Sequence, residues 1–481
     1  MTLNASGPLS MGGSTVGQSI NLELGVSATA QGALNDTSFR TLAGVASGQI
    51  SISNFYGKSS ATYFMAYCSV DSSPLATDTS NNIYVGGSGS GSVPYLGKIN
   101  ASNQAFSYFY SYSLQDAGNN YALEYEPSTA SVWQGGYKRL TYSFAASTGV
   151  PAYEVNIGNV AGSRKNIVIG IGADGSGNVF TGGNESFYFA CCCLGVYPTA
   201  AKINSAGNVI YQYRDQYSLN YYTHYIYGFG NNSTRVGMGG MINFSGYKAS
   251  LYVFNQNITL LYKACFVLES NTYNTVYGIV FNSSNQPVIW AGGSSTTYYL
   301  FAWNDSASTF PFTAKIAASG AVTGITGGSN MAVDSSGNYY VAARINGTWS
   351  GYGRLVLIKF NSSGVVQWRR KLYTSAISLS TVNRCITINS AGQLVVLVTR
   401  TGGSGGCLIL QLPSDGSKTG TYTVNGISYT YDAETDLAIS SGISITKSTF
   451  SSSDDTVLRG TSSGSSNTKS TITPTYSVTV I

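Results

Sequence analysis

Histidines and paired carboxylates carry most acid–base and metal chemistry, so they are weighed first. The chain has one histidine, His224, inside Tyr221-Tyr-Thr-His-Tyr-Ile-Tyr227. A Ser-His-Asp triad or a histidine metal site would have to use it. No G-x-S-x-G elbow occurs to present a nucleophile at a strand-to-helix turn. A glycosidase or lyase needs two carboxylates, or a carboxylate with a base, around the scissile bond. Glu124 with Glu126 and Asp432 with Glu434 qualify by spacing alone, and a solvated strand face accounts for both pairs. Consecutive strand residues point to opposite faces, so Cys191-Cys192-Cys193 cannot converge on one metal. Cys68, Cys265, Cys385 and Cys407 sit singly in apolar runs and read as small buried hydrophobes. The expectation is a protein that is not an enzyme and carries no cofactor or metal.

Aromatic placement is the stronger signal. Tyr188, Tyr217, Tyr221, Tyr222, Tyr298, Tyr299, Trp303, Trp349 and Tyr352, with His224 among them, fall in or beside the longer connections. Tyr and Trp offer rigid contact area with a polar tip, which suits recognition, and sugars stack on such rings. The competing reading is packing between layers of structure. The expectation divides the set evenly between packing and display.

Composition bounds the architecture. Of 481 residues only 9% are charged, against about 25% in an ordinary globular chain. Gly numbers 57 and Tyr 37, and 43% of residues are hydrophobic. Abundant aromatics and low charge exclude a disordered chain, and the shortage of Glu, Lys and Arg excludes a coiled coil. The net charge of +5 is dispersed, with its densest cluster at Arg369-Arg370-Lys371. A nucleic-acid binder concentrates its basic residues, so no nucleic-acid partner is expected. The first residues carry no basic-then-apolar secretory pattern, and no uncharged apolar run approaches the ~18 residues of a membrane helix. These features, with an odd count of seven cysteines, imply folding in a reducing cytoplasm and no membrane insertion.

The elements that position these residues repeat. A polar turn leads into a β-branched or aromatic run ending in small residues. It reads Asp78-Thr-Ser-Asn-Asn82-Ile-Tyr-Val-Gly-Gly87, then Asp174-Gly-Ser-Gly-Asn178-Val-Phe-Thr-Gly-Gly183, then Asp334-Ser-Ser-Gly-Asn338-Tyr-Tyr-Val-Ala-Ala343. Looser copies begin at Asn282 and Asn389, and degenerate ones are Ser131-Val-Trp-Gln-Gly-Gly136 and Thr234-Arg-Val-Gly-Met-Gly-Gly240. Aligned on the start of the run, the seven copies fall at 82, 131, 178, 234, 286, 338 and 393, which is a unit of about fifty residues. A second signature follows at Lys98-Ile-Asn, Lys202-Ile-Asn, Lys315-Ile-Ala and Lys359-Phe-Asn, each read as a strand end entering a tight turn. The predicted fold class is all-β: a seven-bladed β-propeller of four-stranded blades over residues 59–432, with a small mixed N-terminal module at 1–58 and a β-rich C-terminal extension at 433–481. The pattern resembles β-propeller repeats of the D-x-S-G-N-x-Y-V-x-G type, a resemblance that speaks to fold and little to function. The turn Asp and Asn residues read as caps of their own turns.

Residues 1–58 carry Ser19-Ile-Asn-Leu-Glu-Leu-Gly25, then Asp36-Thr-Ser-Phe-Arg-Thr-Leu-Ala-Gly44, then Ile50-Ser-Ile-Ser-Asn-Phe-Tyr-Gly57. Ser19–Gly25 reads as one short helix, and Asp36 and Gly44 as the cap and stop of another. This order resembles the N-terminal module of tailed-bacteriophage virion proteins of the cyanophage and aquatic type, found ahead of varied C-terminal domains. The resemblance implies an anchor followed by a displayed body, as in tail-fibre and baseplate-associated proteins; the expected function is host-surface adhesion by the propeller, with a purely architectural tail role and a polysaccharide-degrading tail enzyme as the alternatives. It implies localisation to the virion tail after synthesis in the host cytoplasm, and homo-oligomerisation with the tail's symmetry. The implied partners are other tail proteins, through residues 1–58, and a host cell-surface glycan or protein. Ile20, Leu22, Leu24, Phe39, Leu42, Phe55 and Tyr56 are the candidate virion-docking residues. Near the C-terminus, Ser-rich linkers alternate with strand-like runs, and the last ten residues are expected to pair with a sheet edge of the propeller or of a neighbouring subunit.

Overall fold

The computed structural model describes residues 3–481 except 5, 16–17, 25–26, 35, 44, 46, 56–62, 71–73, 89–93, 113–119, 137–139, 158–162, 189–193, 217–223, 244–245, 270–273, 349–351, 382–384, 402–404, 449–452, 456–460, 465–468 and 472–473. The chain divides into two compact units, Met1–Phe64 with Val480–Ile481, and Met65–Thr479.

The smaller unit holds the helices Ile20–Glu23 and Thr37–Ala43 and the 3-10 turn Ile52–Phe55. Ser19 caps the first helix, its hydroxyl accepting the Leu22 amide at 3.3 Å. Asp36 precedes the second helix as expected, but its carboxylate turns back to accept the Ala33 amide at 2.9 Å. Leu3, Ile20, Phe39, Leu42, Ala43 and Phe55 form the core of this unit. Phe39 and Phe55 meet edge to face, 6.4 Å apart.

The larger unit is an all-β propeller. Its described strands form seven antiparallel sheets. Four consecutive strands build each of the first six, over residues 75–112, 120–156, 163–216, 224–268, 275–318 and 322–373. The last sheet draws on residues 378–413 and is completed by Phe64–Cys68, which pairs with Cys407–Pro413. One sheet thus joins strands from both ends of the repeat array. Each of the seven sequence copies opens the second strand of a sheet, at Ile83, Ser131, Val179, Arg235, Pro287, Tyr339 and Gln393. Of the second signature, Lys98, Lys202 and Lys359 stand on third strands, whereas Lys315 stands on the fourth strand Thr313–Ala318. The Lys315 copy matched by composition and not by position.

Hydrophobic cores lie between neighbouring sheets. Phe180, Ala200 and Tyr213 pack on Val236, Met238 and Phe254 of the next sheet, and Val288, Leu300 and Ile316 pack on Tyr339, Val341 and Val356. Each sheet is therefore covered on both faces by its neighbours, which favours runs of β-branched and aromatic residues over strict alternation.

The small-residue pairs have a geometric cause. The innermost strand is bulged, with register shifts between Val168 and Gly170 and between Ile226 and Gly228. The second strand places Gly182-Gly183 and Gly239-Gly240 across those bulges. A Cβ at Gly183 would fall within bonding distance of the Ile167 carbonyl oxygen, and one at Gly240 on that of Tyr225. Glycine is required where a bulge pushes one backbone onto another.

The C-terminal extension is neither separate nor a single pairing strand. It runs back around the propeller and adds an antiparallel outer strand to each sheet in reverse chain order. Ile427–Ala433, in a hairpin with Gly420–Val424, lies on Val366–Tyr373. Leu437–Ser441 then covers Thr313–Ala318, and Ile445–Ser448 covers Leu260–Leu268. Ser453–Asp455, Thr461–Gly464 and Lys469–Thr471 continue to the third, second and first sheets. Tyr476–Val480 finishes beside Phe64–Cys68. The expected boundary at 432 falls inside this belt, between Asp432 and Ala433 of a single strand.

Candidate functional site

The repeated turns are bolts. Asp334 Oδ1 accepts the amides of Ser336 and Asn338, and Oδ2 accepts Asn338 Nδ2 at 2.8 Å and the Tyr340 hydroxyl at 2.8 Å. Asp78 makes the same four bonds with Ser80, Asn82 and Tyr84. Where the acid is replaced by Asn282 or Asn389, the partner becomes Gln286 or Gln393, whose Oε1 accepts the Asn Nδ2. The penultimate position is left-handed in each, at Asn81 (φ 64°), Asn285 (φ 59°) and Gly337 (φ 78°), so Gly or Asn is needed there. Burial alone would raise the Asp334 pKa, but bonds from Asn338, Tyr340 and Ser336 outweigh it and hold the carboxyl below its usual value.

The bolts also reach across sheets. Lys359 Nζ stands over the Tyr340 ring and donates to the Ser414 carbonyl at 3.2 Å, a carbonyl that also receives Tyr340 Oη and Trp368 Nε1. Lys98 and Tyr84 grip the Ala146 carbonyl of the second sheet in the same way. The turn carboxylates are spent on structure, as the sequence reading expected.

His224 is buried at the start of its strand, a correction to its place among the ligand-binding candidates. Nε2 lies 2.7 Å from Ser250 Oγ, and Nδ1 lies 3.0 Å from the Tyr252 hydroxyl. Tyr252 donates onward to Asp215, which faces Lys263 at 3.9 Å. The order resembles a nucleophile relay, but Ser250 is 0% and His224 3% exposed, so both side chains are closed off from solvent. Burial, with Lys263 adding to it, pushes the His224 pKa down to about 3.

The other candidates divide by placement. Tyr298, Tyr299 and Trp303 are buried core residues and not display residues, because neighbouring sheets close over them. Tyr298 stacks on Trp290 at 5.1 Å, and Tyr299 donates to Glu269 at 3.1 Å. Tyr352 is exposed. Tyr217, Tyr221, Tyr222 and Trp349 lie outside the described residues, as do Tyr56, Cys191-Cys192-Cys193 and the side chain of Tyr188. Among the docking candidates, Ile20, Phe39, Leu42 and Phe55 are core, while Leu22 and Leu24 are half-buried. Burial in the unit's own core takes the first four out of any docking face. The carboxylate candidates serve separate ends. Glu126 is buried and accepts the Thr129 and Gly177 amides, Asp432 is exposed, and Glu434 is buried with its pKa raised by that burial. Cys68, Cys265, Cys385 and Cys407 are buried and form no disulfide.

The described residues of the larger unit line two openings of note. One, about 500 Å³, is lined by innermost strands of six sheets, from Glu124 and Ala173 round to Val333 and Ile388. The other, about 670 Å³, lies between the fifth and sixth sheets with belt residues Ile439–Gly442 along it. Phe310, Pro311 and Phe312 form one wall and Ser363–Val366 the other, with Arg369 also lining it. Phe310 is held from beneath by Trp303 at 4.9 Å and Phe301 at 5.8 Å. Val365 is 57% exposed. Arg369 uses Nη1 on the Leu437 carbonyl, and its other N–H groups bond to no protein group among the described residues. Aromatic faces, hydroxyls and a guanidinium in one groove can stack a sugar ring and hydrogen-bond its oxygens. The sequence reading missed this groove because a proline turn, a Gly turn and the belt meet there only in space.

No family model matches the chain, and no curated protein is similar to it. Among solved structures, a chain of "Crystal Structure of Mitotic Checkpoint Complex" is similar at 10% identity, over 72% of this chain and 88% of that one, with a TM-score of 0.44. No group of three His, Cys, Asp or Glu among the described residues could hold a metal ion. No helix among them is long and apolar enough to cross a membrane.

Proposed function

We propose that this protein is a structural component of a bacteriophage tail, fixed to the virion by residues 1–58 and displaying a seven-bladed propeller for non-covalent adhesion to a host-surface glycan. The observation that carries this reading is the division into a small N-terminal unit with its own core and a large propeller. An anchor and a displayed body need that division, and the resemblance of the first fifty-odd residues supplies the anchor's role. We assign adhesion to the groove between the fifth and sixth sheets, because its rings are rigidly backed and its arginine has donors to spare. A propeller is consistent with a binding role, and the burial of Ser250 and His224 favours binding over hydrolysis. Copies associate through the tail's symmetry.

The test is binding of the purified full-length protein to host cells before and after periodate treatment of the cell surface. Binding that falls at least about tenfold after treatment is expected. Absence of binding to untreated cells overturns adhesion and favours a purely architectural tail role. Binding indifferent to periodate overturns the glycan assignment.

A further inference from the structure

The strand Phe64–Cys68 is where the ring of sheets closes, paired on one side with Cys407–Pro413 and on the other with Tyr476–Val480. Cys68 ends the first of these strands and Cys407 begins the second. The backbone of Gly406 lies directly on Cys68, where a Cβ would stand 2.5 Å from the Cys68 carbonyl oxygen and 3.2 Å from Ser69 Cα. The two strand ends therefore face each other, and the Cys68 and Cys407 side chains hydrogen-bond across the seam. Opposed residues on antiparallel strands stand about 4.5–5.5 Å apart at Cα, inside the range a disulfide spans. Both are buried thiols, not joined in a disulfide.

We propose that Cys68 and Cys407 form a redox staple that locks the closing seam of the propeller. A low-molecular-weight disulfide is the oxidant. The Cys68 thiolate attacks one of its sulfurs, forming a mixed disulfide and releasing one small thiol. Cys407 then attacks the Cys68 sulfur and releases the second. Two protein thiols are oxidised, one small disulfide is reduced to two thiols, and the protons of the cysteines leave on those thiols. The hydrogen bond from Cys407 outweighs burial and lowers the Cys68 pKa, which helps the first step. Because neither sulfur is exposed, reaction proceeds through opening of the seam and is slow in the folded protein. Once formed, the bond ties together residues at opposite ends of the array, so the ring cannot part where it was closed.

The test uses the full-length protein incubated with oxidised glutathione, then denatured, blocked with N-ethylmaleimide and mapped by mass spectrometry. The expected result is a Cys68–Cys407 linked peptide, two fewer blockable thiols than the seven in the sequence, and a rise in melting temperature of at least about 5 °C that dithiothreitol reverses. Cys68→Ser and Cys407→Ser should each abolish the peptide and the rise, whereas a variant with Cys191, Cys192 and Cys193 all changed to Ser should keep both. A stable glutathione adduct without the link overturns the proposal, and so does a link that leaves the melting temperature unchanged. If a serine variant fails to fold, the reversible shift of the unmodified protein still decides the matter.

Discussion

Ser69 and Thr475 are bonded twice. The Ser69 amide donates to the Thr475 carbonyl at 2.9 Å, and the Thr475 amide donates to the Ser69 hydroxyl at 2.9 Å. They bring the first strand of the larger unit against the last turn of the belt. The belt has by then passed every other sheet, so the strand that closes the ring is held from both sides. An exposed outer strand is a pairing hazard, and here the chain's own C-terminus covers each one.

Truncation after Glu434 should therefore cost far more than the loss of a surface tail. The belt strands from Leu437 onward disappear, and with them the Arg369 bond to the Leu437 carbonyl. Unfolding in denaturant should accelerate by about tenfold or more, because these strands cover the outer edges and guard the seam. Unfolding rates by tryptophan fluorescence check this, and an unchanged rate would show the belt to be decoration.

Asp334→Ala removes an acceptor for four donors and should cost about 2 kcal/mol in denaturant unfolding. The pH dependence has a definite sign. The folded pKa of Asp334 is lowered, so its stabilisation is complete above the unfolded carboxylate value of about 3.9 and is lost as pH falls through the folded value. Asp334→Asn should reduce the loss of stability below pH ~4.

His224 acts in a higher window. Its folded pKa, about 3, lies below the unfolded 6.5, so the unfolded state binds the proton first and stability falls as pH drops from 6.5 toward 3. The penalty between pH 6.5 and pH 4 should be on the order of 3 kcal/mol. Ser250 and Tyr252 hold the ring nitrogens, Asp215 lies behind Tyr252 and is engaged by Tyr252 and Lys263, and the Lys263 charge opposes protonation. His224→Gln should flatten the profile in that window, measured by urea midpoints at several pH values.

Trp303→Ala should destabilise by about 3–5 kcal/mol, since it empties a packed site behind Phe310. Val365→Glu should change stability by less than about 0.5 kcal/mol, being exposed. It should still weaken cell binding at least about tenfold by filling the groove with charge. Thermal melts beside cell-binding curves separate the two effects.

The repeat was legible because it is local. Asp334 to Tyr340 fold onto themselves, so turn chemistry and spacing survive in one short stretch, and all seven copies mark second strands. Lys315 misled because a Lys-Ile pair entering a turn looks alike on a third or a fourth strand. The aromatic candidates misled for a physical reason: with sheets covered on both faces, Tyr298 and Trp303 have no solvent side to occupy. The belt was illegible because its strands, such as Ser453–Asp455, are short and polar and are strands only through the edges they meet. The groove shares that origin, since Phe312, Val365 and Ile439 become neighbours only when the belt is in place.

The central claim is that an N-terminal anchor holds a displayed propeller on a phage tail. Immunogold labelling of purified particles with an antibody raised against residues 65–432 tests it most directly. The account predicts label at the tail tip or fibres. Label on the capsid, or none on any particle, would contradict it.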